Sequence, residues 1–317
     1  MEPPPPQDDD EERVIATLLG ARPDPERLGA APVVDAGDDA AVLSDGTAVT
    51  VDTLVEGVHW DDRLAPEDVG FKALAVSVSD LAAMGVPPRW AVLSLALPAV
   101  DAPWVEAFAE GLADACDRWG VRLVGGDTVR TAGPRVVTLT LAGRAGPPPL
   151  RRAGARPGDT VWVTGTLGLA GLGWRADRPP PEALAALRRP EPPLAFALEL
   201  AADGLATAAM DLSDGLARDL PRLCAASGVG AVVRPEALPG HPDLGPDALA
   251  HQTRGGEDYQ LLFTADPAHR AALLALARAH DLRLTAIGHV TEAHGARLEG
   301  RDWPPTAFAH FPTAGTR

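Results

Sequence analysis

Six short acidic segments recur along the 317-residue chain, each beside glycine or a small residue: Gly37-Asp38-Asp39, Val51-Asp52-Thr53, Ser79-Asp80-Leu81, Gly125-Gly126-Asp127, Asp211-Leu212-Ser213-Asp214 and Gly255-Gly256-Glu257-Asp258. One such acid is an ordinary solvated side chain at a turn. Several that converge need cations to coexist, because like charges withdrawn from water repel strongly. Oxygen ligands without His or Cys partners suit a hard ion, chiefly Mg²⁺, which commonly arrives bridged to phosphates. The chemistry indicated is therefore a Mg²⁺-dependent reaction of phosphates.

The elements that must carry these acids follow from periodicity. Residues 48–54 alternate as a strand, with Thr50 and Asp52 on one face. Residues 67–84 have helical spacing and stop firmly at Gly85, Pro87 and Pro88, so Asp80 rides on a long apolar helix. A charge buried there requires a cation beside it. Residues 90–97 read as a strand. Val105, Phe108, Leu112, Cys116 and Trp119 mark one face of a helix that Gly120 ends, and strands follow at 121–124 and 136–141.

Thr160–Thr164 reads as a strand entering Gly165-Thr166-Leu167-Gly168-Leu169-Ala170-Gly171. That run suits either a backbone cradle for phosphate or a tight strand-to-helix turn. Residues 177–193 are proline-rich and read as a surface loop. A helix is expected from Asp211–Ser213, kinked or shortened by Pro221, and there Asp211 or Ser213 serves equally as a helix cap or a metal ligand. Residues 259–263 form a buried strand and 267–279 an amphipathic helix. Strands and helices mix without a regular βαβ rhythm, so the fold class is α+β or mixed α/β.

Length predicts two domains. Residues 1–12 are an acidic, proline-rich tail expected to be disordered. Residues 13–147 and 148–317 form the two domains, divided in the Pro/Gly/Arg-rich passage at 143–158. The net charge is −16, and Glu2, Asp8, Asp9, Asp10, Glu11 and Glu12 supply six of those charges. Such acidity argues against nucleic acid or an anionic membrane as the main partner. No stretch approaches the ~18 apolar residues of a membrane span, and the start lacks the pattern of a signal peptide, so a cytoplasmic location is expected. Cys116 and Cys224 both fall in apolar helical patterns and read as buried free thiols. Lys72 is the chain's sole lysine, every other fixed cation being arginine.

No P-loop, Gly-x-Gly-x-x-Gly or kinase catalytic-loop motif is present, and no Gly-x-Ser-x-Gly elbow or zinc-spaced His pair occurs. What the chain does contain, in order, is GDDAAV, VDTLVEGVHW, FKALAVSVSDLAAMG, GGDT, RRAGARPGD, TGTLG, MDLSDGL and GGEDYQLLF. Together these strings closely resemble the thiamine-monophosphate kinase family, from about residue 13 to residue 311. The resemblance implies the fold of the aminoimidazole ribonucleotide synthetase-like superfamily, with an N-terminal α+β domain that pairs two protomers into a homodimer and a C-terminal α/β domain. It further implies ATP-dependent phosphorylation of thiamine monophosphate to thiamine diphosphate. Matched position by position, Asp38, Thr50, Asp52, Asp80, Asp127, Asp211 and Asp214 correspond to the family's Mg²⁺ positions, with Val51 contributing through its carbonyl. Gly126, Asp127, Arg152 and Ser213 correspond to ATP contacts, and His59 and Glu257 to substrate contacts. The family's C-terminal aromatic contact aligns with Pro305, so Trp303 or Phe308 stands in for it.

The chemistry agrees with the residue types. An acceptor phosphate is already ionised near neutral pH and needs no general base, so direct in-line transfer without a phosphoenzyme is expected. Selenophosphate synthetase would need a reactive Cys near the N-terminus, and none precedes Cys116. A hydrogenase-maturation relative would end in cysteine. Aminoimidazole ribonucleotide synthetase remains an alternative, as does a non-catalytic acidic metal-binding protein.

Overall fold

A computed structural model describes residues 10–21, 32–146 and 148–304. Residues 1–9 of the expected tail and Phe308 lie outside the described residues, while Asp10–Gly20 forms helix α1. The first half continues through β1 (Ala41–Val42), β2 (Thr47–Val55), α2 (Pro66–Ala83), β3 (Pro88–Leu97), α3 (Ala102–Trp119), β4 (Arg122–Arg130) and β5 (Val136–Arg144). The second half runs β6 (Thr160–Thr164), α4 (Leu169–Arg175), α5 (Pro181–Arg188), α6 (Leu194–Ala202), β7 (Ala208–Leu212), α7 (Leu216–Ser227), β8 (Gly230–Val233), α8 (Ala248–Arg254), β9 (Gln260–Ala265), α9 (Arg270–Ala279), β10 (Leu284–Thr291) and β11 (Gly295–Leu298).

Each half holds one sheet. The first has the order β1-β2-β5-β3-β4 and the second β11-β8-β10-β6-β9-β7. Only β3–β4 and β8–β11 pair in parallel, so the expected mixed architecture holds and neither sheet is doubly wound.

Helix α2 positions the rest. It is buried from Val69 to Ala83 except at Asp80, an all-round apolar pattern that marks a central rather than a surface helix. Its partner α3 comes so near that a Cβ at Gly111 would stand 1.8 Å from the Glu67 carbonyl oxygen, and one at Gly70 would stand 2.1 Å from that of Phe108. The two glycines therefore set the helix spacing by reciprocal backbone contact. At its far end Ala82 and Ala83 join Trp162, Phe196 and Phe263 in a core of the second half. One helix thus belongs to both sheets' packing.

Three sequence expectations shift. The proline-rich stretch at 177–193 is not all loop: Pro181 opens α5, which buries Ala183 and Leu187 one turn apart. Asp211 is the penultimate residue of a strand, β7, instead of starting a helix, and α7 begins at Leu216 after Gly215 with no side-chain cap. Pro221 neither breaks nor shortens α7. A proline at this position removes the N–H that would bond the carbonyl of Ala217, four residues earlier. The indole of Trp303 donates to that carbonyl at 3.0 Å, replacing the missing bond.

Trp303→Phe should therefore leave a buried carbonyl without its donor. We expect a loss of about 1–3 kcal/mol in unfolding free energy, read as a lower urea midpoint at unchanged slope. An unchanged midpoint would show that the carbonyl is satisfied otherwise.

Candidate phosphate and cation site

A cavity of about 390 Å³ opens where β2, α2, the end of β7 and the turn at 255–259 meet. Asp52, Asp80, Asp211 and Asp214 are among the residues that line it. His59, Glu257, Trp174 and Arg175 line it as well, with apolar contributions from Val51, Leu54 and Val58.

Period-two alternation on β2 turns Thr50 and Asp52 together toward α2. Thr50 Oγ1 donates to Asp80, and Ser77 Oγ donates to Asp52 at 2.8 Å. From the same helix, Ser79 Oγ donates to Asp211 at 2.8 Å. The two serines and Asp80 therefore tie a strand of the first sheet to a strand of the second across the site. Ser77 was not singled out from the sequence and Ser79 only as the small neighbour of Asp80, although hydroxyls within an otherwise apolar helical run are a readable signal.

Carboxylate oxygens of Asp39, Asp80 and Asp211 all lie within 4.8 Å of one another. The family match names Asp38 and not its neighbour Asp39, but the structure turns the two differently. Asp38 accepts from the Arg152 backbone N–H at 2.6 Å and from Arg151 Nε at 3.2 Å. Asp39 is buried, pairs through one oxygen with Arg152 at 2.6 Å, and leaves its other oxygen with no hydrogen-bond partner. An orphaned buried oxygen beside two more carboxylates is a donor set that could hold a hard divalent cation.

The electrostatics run the same way. Burial, reinforced by the charges of Asp52, Asp211 and Asp39, pushes the Asp80 carboxyl well above its ordinary range. Asp80 keeps part of its surface open to the cavity, so that crowding by three acids matters alongside desolvation. Burial raises Asp211 to about 7, with Asp39 adding to the shift, and burial also raises Asp52 and Asp39. Four acids held near one another above their usual pKa are a site that a cation would relieve.

The remaining expected residues are placed as follows. Asp214 lines the cavity and pairs with Arg222 at 2.7 Å and Arg218 at 3.4 Å. Ser213 Oγ donates to Asp211 at 3.4 Å, and Val51 lines the mouth. His59 accepts at Nδ1 from the Val55 N–H at 3.0 Å. Gly126 and Asp127 sit on β4, outside this cavity, on a strand exposed at all nine residues. Trp303 does not line the cavity either. It packs on a core of the second half and bonds Ala217, and so is not placed for the substrate contact expected of it. Two aromatic rings do line the cavity: Tyr259, which lies in the GGEDYQLLF string, and Trp174, half-buried on α4 beside Arg175, to which no motif pointed.

The turn at 255–259 is strained and well anchored. Glu257 and Tyr259 have φ of 64° and 47°, costly for residues with a Cβ. Their N–H groups donate to Ser213 and Leu212 carbonyls at 2.8 Å each. Both oxygens of Asp258 accept from the Gly168 N–H at 2.9 Å. The glycine run at 165–171 is thus a strand-to-helix turn closed by a carboxylate, since the donor a phosphate would use is taken.

Models of the AIR synthase-related family match both halves, the N-terminal domain over residues 37–145 and the C-terminal domain over 156–301. The chain is 41% identical over 310 residues to the thiamine-monophosphate kinase of Salmonella typhimurium, spanning 87% of this chain and 91% of that one. Among solved structures it resembles the thiamine-monophosphate kinase of Stenotrophomonas maltophilia, at 38% identity and a TM-score of 0.77, covering 92% of this chain and 96% of that one. A second, AaThiL complexed with AMPPCP and TMP, is 30% identical with a TM-score of 0.77 over 95% and 96% of the two chains. With agreement of this extent, the chain belongs to the thiamine-monophosphate kinases of the AIR synthase-related family.

The Asp258 carboxyl supplies a test of the closed turn. Burial raises it to about 8, against the opposing Gly168 hydrogen bond. The folded state therefore holds a proton that the unfolded chain has lost above about pH 4, and stability falls as pH rises toward 8. Between pH 6 and 9 this group should cost the wild type on the order of 2 kcal/mol, a slope that Asp258→Asn lacks. Identical pH profiles of unfolding for the two proteins would refute the assignment.

Proposed function

We propose that the protein transfers the γ-phosphoryl group of ATP to thiamine monophosphate, giving thiamine diphosphate and ADP, at the cavity between β2, α2 and β7. The observation that carries the reading is the cluster of Asp39, Asp80 and Asp211, with Asp52 beside it, at a cavity that polar and aromatic residues also line. The structure described as AaThiL complexed with AMPPCP and TMP supports the pair of ligands.

Asp39, Asp52, Asp80, Asp211 and Asp214, with the Thr50 hydroxyl and the Val51 carbonyl, would hold Mg²⁺. Bound there, Mg²⁺ neutralises charge on the transferring phosphoryl oxygens. Ser77, Ser79 and Thr50 aim the carboxylates by hydrogen bonds, so little reorganisation is needed as charge develops. Arg152 remains cationic, kept so chiefly by Asp39 against the cost of burial, and offers its charge to ATP together with Ser213. The acceptor oxygen of the monophosphate attacks the γ-phosphorus as the bond to ADP breaks, with no group on the chain required to remove a proton. His59, Glu257 and Trp174 enclose the thiamine end, where Glu257 complements its cationic ring and Trp174 offers an aromatic face.

The homodimer reading rests on β4. It is an uncovered sheet edge carrying Leu123, Val124 and Val129, exposed by 43%, 56% and 48%, beside Gly126 and Asp127. A second copy covering it would shelter that edge and enclose Asp127. A monomer by light scattering at working concentration would remove this part. Among the described residues no helix is long and apolar enough to cross a membrane.

The deciding assay supplies ATP, Mg²⁺ and thiamine monophosphate and follows thiamine diphosphate. Formation of product from thiamine or another acceptor instead would overturn the substrate assignment. Asp80→Asn should reduce turnover by at least ~10³-fold with the circular dichroism spectrum unchanged, since the amide preserves shape and removes charge. Near-normal activity in that variant would displace Asp80 from the reaction centre.

A further inference from the structure

Lys72 has no part in the chemistry above, and its setting is unusual. Its side chain is 0% exposed, deep in the apolar α2. A buried ammonium is tolerated only when it is paired. Lys72 Nζ forms an ion pair with Glu257 and donates to the His59 carbonyl at 3.4 Å. It is absent from the cavity wall, whereas His59 and Glu257 both line it.

One ammonium therefore holds two cavity residues that are almost 200 positions apart in sequence. For Glu257 it fixes a side chain on a backbone already constrained at positive φ. For His59 it fixes the main chain, while the Val55 N–H holds the ring. The position also selects the residue type. A compact ammonium on a flexible stem fits where an arginine's planar fork would need more room and more acceptors. The chain uses arginine for every other fixed cation, so the site itself accounts for the exception. Lys72, Val76 and Asp80 follow one another at four-residue spacing on one face of α2, and eight residues span roughly 12 Å. The same face carries Asp80 at its phosphate end and Lys72 at its thiamine end.

We infer that Lys72 is a positioning residue for thiamine monophosphate: it sets the Glu257 carboxylate against His59 and thereby selects the acceptor without touching it. This rests on the kinase reading above.

The test uses the full chain as wild type, Lys72→Met, Glu257→Gln and the double variant, with each substrate varied separately and thiamine monophosphate binding measured by calorimetry. Lys72→Met should lower kcat/KM for thiamine monophosphate on the order of 30-fold or more, the usual cost of truncating one partner of a buried charge pair. The KM for ATP should stay within about threefold. The double variant should be no worse than Glu257→Gln alone, because Lys72 acts through that carboxylate. Losses that multiply in the double variant, or an equal rise in the KM for ATP, would overturn the inference. If Lys72→Met does not fold, the double variant, which leaves no uncompensated charge, decides the matter against Glu257→Gln alone. A wild type that neither binds nor phosphorylates thiamine monophosphate would overturn the functional reading and this inference with it. An active wild type with multiplying losses would overturn this inference alone.

Discussion

Everything about the site depends on keeping several carboxylates in a volume where water cannot separate them. Asp39, Asp80 and Asp211 come from a loop, a helix and a strand, and no local rule brings them together. Hydroxyl donors and one arginine offset part of the repulsion. The remainder is what gives the cavity its affinity for cations and, through them, for phosphates.

Helix α2 meets that constraint. Its apolar surface is buried on all sides, which fixes its axis, and its few polar side chains point where the two halves meet. The close approaches of Gly70 to Phe108 and of Gly111 to Glu67 set its distance from α3. A shift of α2 by a fraction of a turn would move Ser77, Ser79 and Asp80 out of reach of Asp52, Asp211 and Thr50 together. The packing of the fold and the geometry of the site are thus the same set of contacts.

Much of this is legible in the residues. The spacing at 67–84 and the stops at Gly85 and Gly120 place α2 and α3 within a few positions, and alternation on β2 puts Thr50 and Asp52 on one face. Other features depend on contacts that sequence spacing does not encode. Which of two adjacent acids after Gly37 enters the cluster depends on where Arg151 and Arg152 approach from, more than a hundred positions later. Asp211 reads equally as a cap or a metal ligand at an expected helix start, yet its pairing with β9 places it in a strand. Trp174 carries no motif and reaches the cavity only because α4 turns there.

The bond from Trp303 to the Ala217 carbonyl also bears on the order in which the chain can mature. During synthesis α7 emerges long before residue 303, so the Ala217 carbonyl above Pro221 is without its indole donor until the segment that follows β11 has come across. That hydrogen bond of the second half therefore closes only after residue 303 has been made. Truncation just short of Trp303 would spare every residue of the cavity described above and still leave a water-seeking carbonyl inside the core.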